Sequence, residues 1–276
     1  MVGAIVGALV VVPLLAAIGI RIANAIGGAN LVSTDRLTAK VGVAPADLAA
    51  LNLNNAGWIL VAFALTWWVH RVRPGWLISV AQRIRWRWLA LCFALGVVTL
   101  LVTLLLQVVI PATTVGSVTE HYSMGRTVGF VAVIALTTPL QAMGEEFLFR
   151  GYLTQVMGGV APKAVAVVVP ALLFAAAHGS QGLPVFIDRL TFGLLAGVLV
   201  VVTGGLEAGI AMHVLNNLVA FGIAVGTHTV SSTLAASGGT WWVVPVTVTQ
   251  NGVFLILVLW AKRRRAPDFA SASATG

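Results

Sequence analysis

The amino-acid sequence predicts an all-α, polytopic membrane protein, a helical bundle with about eight transmembrane helices. Its 276 residues are 59% hydrophobic and only 9% charged, and their mean hydropathy is +1.00. A soluble domain is about one quarter charged, so a soluble fold of this length could not bury so much apolar surface. The apolar residues also fall into runs close to the roughly 20 residues that a transmembrane helix needs.

Eight apolar runs follow one another along the chain. They lie at Val2–Ile20, Leu53–Val69, Trp88–Ile110, Thr127–Phe149, Ala164–His178, Val185–Thr203, Leu206–Val225 and Trp241–Ala261. The first has no Lys or Arg before it, which favours a retained helix over a cleaved signal peptide. Together the runs predict one transmembrane bundle over residues 1–266, with its polar motifs in a core at 127–226. The Ala- and Ser-rich tail at 267–276 is predicted to be disordered.

The net charge of +8 comes from basic residues that lie beside the apolar runs. This placement predicts topology and attraction to anionic lipid, not nucleic-acid binding. With the amino terminus inside, eleven of the sixteen basic residues fall in cytoplasmic segments. They are Arg71, Arg73, Arg83, Arg85, Arg87, Arg150, Lys163, Lys262, Arg263, Arg264 and Arg265. The bias predicts a multi-pass plasma-membrane protein with both termini in the cytoplasm.

The segment between Arg71 and Arg87 alternates Arg with Trp, Leu and Ile. This pattern is typical of an amphipathic helix that lies on the inner membrane surface, although a plain loop is the alternative.

The fourth apolar run contains adjacent carboxylates. Glu146 and Arg150 are four residues apart on one predicted helix face, so they can form an ion pair. Glu145 points about 100° away and is left without a local partner, free to face a cavity and act as a general base. The alternative is a structural ion pair at the inner interface, with Glu145 reaching water. Gln141, one turn before Glu145, fits either a supporting role beside it or packing.

Two further runs contain polar residues where lipid-facing positions should be apolar. In Phe174-Ala-Ala-Ala-His178, the small alanines let a neighbouring helix approach closely and present His178 from a packed site. In His213-Val-Leu-Asn-Asn217, the two polar side chains share one helix face. Hydrogen-bonded packing is the alternative for each motif alone. Their joint occurrence with Glu145 and Glu146 favours a functional site, because polar groups inside a membrane must find partners.

Together these three motifs resemble the CAAX prenyl protease and bacteriocin-processing (CPBP, or ABI) family of intramembrane endopeptidases. The family pattern is Glu-Glu-x-x-x-Arg, then Phe-x-x-x-His, then His-x-x-x-Asn. Here the pattern is complete and in order, at Glu145 to Arg150, Phe174 to His178 and His213 to Asn217. The resemblance covers residues 145–217, whereas the first three spans and the last rest on hydropathy alone.

The resemblance implies a catalytic site made of four side chains. Glu145 and His178 would activate a water, and His213 with Asn217 would hold the oxyanion. Glu146 and Arg150 would support the helix that carries Glu145. A glutamate-type mechanism without a metal is favoured, because the sequence lacks the His-Glu-x-x-His helix that fixes zinc and base together. Zinc bound by Glu145, His178 and His213 stays open as the alternative.

The sequence therefore favours an intramembrane endopeptidase that acts on a membrane-associated peptide or protein. Two alternatives remain. One is a non-catalytic immunity or scaffold protein of the same fold. The complete set of four site residues argues against it. The other is a transporter with a buried proton relay, for which the matching pair of broken helices is missing.

Overall fold

The computed structural model describes residues 42–110, 119–179, 181–235 and 239–265. Within these ranges the chain forms nine helices and no extended strand. They are α1 (Pro45–Val69), α2 (Gly75–Ile78), α3 (Trp86–Gln107), α4 (Met124–Gly158), α5 (Lys163–Ala177), α6 (Leu183–Thr203), α7 (Glu207–Gly226), α8 (Val230–Ala235) and α9 (Val243–Arg264). The all-α fold class predicted from the sequence is confirmed.

Six of these helices, α1, α3, α4, α6, α7 and α9, are long and apolar enough to cross a membrane. The apolar α5 is shorter. Seven of the eight predicted runs therefore correspond to helices, and the polytopic bundle is confirmed. The first run, Val2–Ile20, and the tail at 267–276 lie outside the described residues.

Helix α4 is longer than hydropathy predicted. The predicted run ended at Phe149, but the helix continues beyond Arg150 to Gly158. The chain then turns and returns along α5 from Lys163. Glu145 and His178 each lie about four helical turns from this connection. The apolar runs alone placed these two residues on opposite sides of the membrane, and the extra turns of α4 remove that difficulty.

The middle of α4 is a π-helix from Glu146 to Leu153, and all eight of its residues are buried. In a π-helix each backbone N–H bonds to the carbonyl five residues earlier, a geometry that is often found at functional sites. The π-helix begins directly after Glu145, so the glutamate motif straddles the change in helix geometry.

The predicted amphipathic helix between Arg71 and Arg87 is wrong. Only the single turn of α2 is helical there, and Arg71 and Gln82 have positive φ angles. The segment is instead held by the α6–α7 connection, which supplies backbone partners to Val80 and Ile78. Tertiary hydrogen bonds of this kind replace those that a surface helix would have made within itself.

An ion pair fixes the same end of the bundle. The Arg85 guanidinium lies 2.7 Å from the carboxylate of Glu207, at the start of α7. It also donates to the carbonyl of Thr203 at the end of α6. These bonds hold the basic connection against the helix ends and fix the base of α7, the helix that carries His213.

Candidate active site

Glu145 lies at a crossing of α1 and α4 and is buried. Its Oε1 atom accepts hydrogen bonds from Asn55 Nδ2 at 2.9 Å and from Gln141 Nε2 at 2.5 Å. Its Oε2 atom is buried and has no hydrogen-bond partner. The expectation that Glu145 lacks a local partner is therefore wrong, because one carboxylate oxygen is held by two amides while the other is left open.

The helices α1 and α4 can approach this closely because α4 has a glycine beside Glu145. A Cβ atom at Gly144 would lie 2.0 Å from the backbone oxygen of Asn55. Any larger residue would therefore push α1 away and separate Asn55 from Glu145. This glycine positions the site through backbone contact alone.

Glu146 faces α7 and is fully buried. Its Oε1 atom lies 3.1 Å from Arg150 Nη1 and 2.9 Å from His213 Nδ1. A Cβ atom at Gly209 would lie 2.7 Å from Glu146 Oε2, so the glycine makes room for the carboxylate against α7. The ion pair that the four-residue spacing predicted is present, and His213 joins it from α7.

His213 contacts both glutamates. Its Nε2 atom lies 3.5 Å from Glu145 Oε2, and its Nδ1 atom lies 2.9 Å from Glu146 Oε1. A carboxylate only accepts, so Nδ1 donates to Glu146. The imidazole therefore presents its Nε2 side to the open oxygen of Glu145.

Phe174 packs where the three motifs meet. Its ring lies 4.1 Å from the guanidinium carbon of Arg150, which is a cation–π distance. The same ring lies 5.9 Å from the ring of His213 and 4.8 Å from that of His178, both edge to face. The phenylalanine of the second motif thus links α5 to the arginine of the first motif and the histidine of the third.

His178 caps the end of α5, and its side chain is exposed. Its Nδ1 atom lies 2.8 Å from the carbonyl oxygen of Phe174. Because a carbonyl only accepts, Nδ1 carries the proton and Nε2 is left free to accept one. The rings of His178 and His213 both pack on Phe174, so His178 lies beside the site.

Asn217 lies one turn beyond His213 on the same face of α7. Its Nδ2 atom donates to Gln141 Oε1 at 2.9 Å, and Gln141 in turn donates to Glu145. All six residues predicted for the site thus lie on three neighbouring helices, α4, α5 and α7. The sequence analysis left Gln141 open and missed Asn55. The asparagines at positions 52, 54 and 55 in an apolar span were the signal that could have found Asn55.

A metal ion needs at least three well-placed ligands. In the part of the chain that the structure describes, no group of three or more His, Cys, Asp or Glu side chains is placed to hold one. Glu145 Oε2 and His213 Nε2 form a pair of donors 3.5 Å apart, without a third ligand in that arrangement. The alternative zinc set of Glu145, His178 and His213 is not assembled among the described residues, and we derive no step through a metal.

The part of the chain that carries this site is similar to a known protein family. Residues 127–219 match the model described as type II CAAX prenyl endopeptidase, Rce1-like. The chain is also similar to the uncharacterized protein YyaK of Bacillus subtilis (strain 168), at 25% identity over 157 residues, which is 52% of each chain. The chain thus spans about half the length of this curated relative. No solved structure matches. The matched region contains all three motifs, so the segment that carries the site is similar to the Rce1-like type II CAAX prenyl endopeptidases.

Proposed function

We propose that this protein is an intramembrane endopeptidase that hydrolyses a peptide bond in a membrane-associated peptide or protein. The observation that carries the proposal is the open oxygen of Glu145. It is buried, has no hydrogen-bond partner and faces the Nε2 atom of His213 at 3.5 Å. A carboxylate with one oxygen held and the other free is suited to take a proton from water.

In this proposal Glu145 Oε2 is the general base. His178 presents Nε2 toward the same side of the site, where it orients the attacking water. The proton that Glu145 takes from water then passes to the nitrogen of the leaving amine, so the carboxylate is restored when the peptide bond breaks. Glu146 and Arg150 do not touch the reacting atoms and act by holding the π-helix behind Glu145.

His213 and Asn217 are the proposed donors to the oxyanion. The Nδ1 proton of His213 is held by Glu146, so its role requires a second proton on Nε2. A neutral amide nitrogen has two hydrogens. Asn217 uses one on Gln141 and keeps the second for a substrate oxygen. Donors that are fixed before the reaction stabilise the negative charge of the tetrahedral intermediate, and each is worth roughly 10²–10³ in rate.

We also propose that the reaction needs no metal. We further propose that the protein lies in the plasma membrane with both termini in the cytoplasm. The glutamate mechanism is supported by the four side chains, which together supply a base, a proton for the leaving group and oxyanion donors. The topology is supported by the basic residues at the end of the bundle where Arg85 pairs with Glu207.

The test is peptide cleavage by the purified protein in lipid nanodiscs. A farnesylated peptide that ends in a CAAX sequence is one probe, and the same peptide without the farnesyl group is the other. We expect cleavage by the wild type, and no cleavage by Glu145→Gln, which keeps the shape and removes the base. His178→Ala should be similarly severe, and His70→Ala, at a position outside the three motifs, is its control.

Three results would overturn parts of this proposal. Equal cleavage by the wild type and Glu145→Gln would show that Glu145 is not the base. Activity lost to a strong zinc chelator and restored by added zinc would replace the metal-free mechanism with one in which Glu145, His178 and His213 bind zinc. A folded wild-type protein that cleaves neither probe would contradict the CAAX-type substrate.

A further inference from the structure

We infer that Asn55 and Gln141 are positioning residues that decide which oxygen of Glu145 takes the proton. The inference rests on the proposed role of Glu145 as the base. Neither residue belongs to the three motifs, and they come from different helices, α1 and α4. Both donate to the same atom, Glu145 Oε1, at 2.9 and 2.5 Å. The convergence of two donors on one oxygen leaves the other oxygen for the reaction.

The two amides are themselves oriented by further amides. Asn54 Nδ2 donates to Asn55 Oδ1 at 3.3 Å, and Asn217 Nδ2 donates to Gln141 Oε1 at 2.9 Å. A side-chain amide whose oxygen already accepts a hydrogen bond must turn its NH₂ group the other way. Each NH₂ group is thereby directed at Glu145. The carboxylate is held at the centre of a chain of four amides.

The chain of four amides restricts the rotation of the Glu145 carboxylate. The last torsion of a glutamate side chain is broad, so an unheld carboxylate exchanges its two oxygens by rotation. Two donors on Oε1 oppose that rotation and keep Oε2 aimed at His213 Nε2, 3.5 Å away. Asn217 thus gains a second role, since it fixes Gln141 as well as facing the proposed oxyanion.

Asn52 offers a matched control for Asn55. It lies on the same helix, one turn earlier, is buried and, like the half-buried Asn55, bonds to α4. Its Nδ2 atom donates to Thr137 Oγ1 at 2.9 Å and to Thr138 Oγ1 at 3.1 Å, away from Glu145. Asn52→Ala therefore removes a similar helix-to-helix link without touching the carboxylate.

The experiment measures kcat and KM for Asn55→Ala, Gln141→Ala and Asn52→Ala in nanodiscs with the farnesylated peptide, beside wild type and Glu145→Gln. A hydrogen bond to a charged group predicts a roughly 10- to 100-fold fall in kcat for each of the first two variants. KM should stay within about two-fold, because these amides contact Glu145 and not the substrate. Asn52→Ala should keep kcat even if its thermal unfolding temperature falls.

Asn55→Leu and Gln141→Met guard against loss of folding, because they are close in shape to the native side chains, remove the donor and add no buried charge. They should lose about as much kcat as the alanine variants. Wild-type kcat in Asn55→Ala and Asn55→Leu, or an equal loss in folded Asn52→Ala, would overturn the positioning role. If Glu145→Gln is inactive while Asn55→Ala is fully active, this inference alone is wrong. If Glu145→Gln is active, the proposed function is wrong.

Discussion

The Nε2 atom of His213 lies 3.5 Å from Oε2 of Glu145. This approach joins the third motif directly to the first, across the packed helices α7 and α4. Through its other nitrogen the same ring donates to Glu146 at 2.9 Å. One side chain therefore contacts two neighbouring carboxylates, which repel each other in a medium of low dielectric.

The buried ion pair gives the first prediction. Arg150→Ala removes the cation that faces Glu146 and the group that packs on Phe174. An uncompensated buried carboxylate costs about 3–5 kcal/mol, so both the folded yield and the cleavage rate should fall. Size-exclusion chromatography and thermal unfolding measure the first effect. Arg263→Ala, at an exposed position, is the control. Normal yield and full activity in Arg150→Ala would contradict the pairing role.

The close approach of α1 and α4 gives the second prediction. Gly144→Ala places a Cβ atom 2.0 Å from the backbone of Asn55, so the helices must separate. Overpacking of this kind costs about 1–3 kcal/mol, and the loss of the Asn55 bond should also lower kcat. Gly125→Ala on the same helix meets nothing within 4 Å and should change neither property. Equal behaviour of the two variants would show that the contact is unimportant.

Two neighbouring asparagines on α7 give the third prediction. Asn217→Ala should lower the cleavage rate roughly 10²- to 10³-fold, as expected for an oxyanion donor. Asn216 instead accepts a hydrogen bond from Gln250 on α9, at 3.1 Å, so Asn216→Ala should stay within a few-fold of wild type. Initial rates on the farnesylated peptide measure both. A near-normal rate in Asn217→Ala would remove it from the site.

Membrane topology gives the fourth prediction. The only cysteine, Cys92, is buried, so a single introduced cysteine can be labelled without interference. His121 and Arg264 are exposed at opposite ends of the bundle. A membrane-impermeant maleimide should label His121→Cys in intact cells and label Arg264→Cys only after the cells are opened. The reverse pattern would mean that the basic end of the bundle faces outward.

Much of the fold followed from the sequence, because apolar run length is a strong signal for membrane helices. Hydropathy could not predict the end of α4, since the turn directly after Arg150 is buried within the protein and the last turn is partly exposed. Hydropathy also could not predict the path of the backbone between Arg71 and Arg87. There the backbone bonds of Val80 and Ile78 go to the distant α6–α7 connection.

The site residues also divide into those that local spacing could predict and those that it could not. The four-residue spacing of Glu146 and Arg150 was enough to predict their ion pair, because both lie on one helix. Asn55 was missed because its partner Glu145 is 90 residues away. A contact at that separation depends on the crossing of α1 and α4, and the glycine that permits the crossing carries no functional signature of its own.

The shortness of α5 affects the lipid around the site. Its 15 residues make a helix about 22 Å long, whereas the hydrocarbon layer is about 30 Å thick. At least one end of α5 therefore stops short of the membrane surface, and His178 directly follows its last residue. Neighbouring acyl chains must bend to cover the deficit. Bilayers with shorter acyl chains would fit this helix better, whereas longer acyl chains would bury His178 more deeply. The thickness of the membrane therefore affects the site.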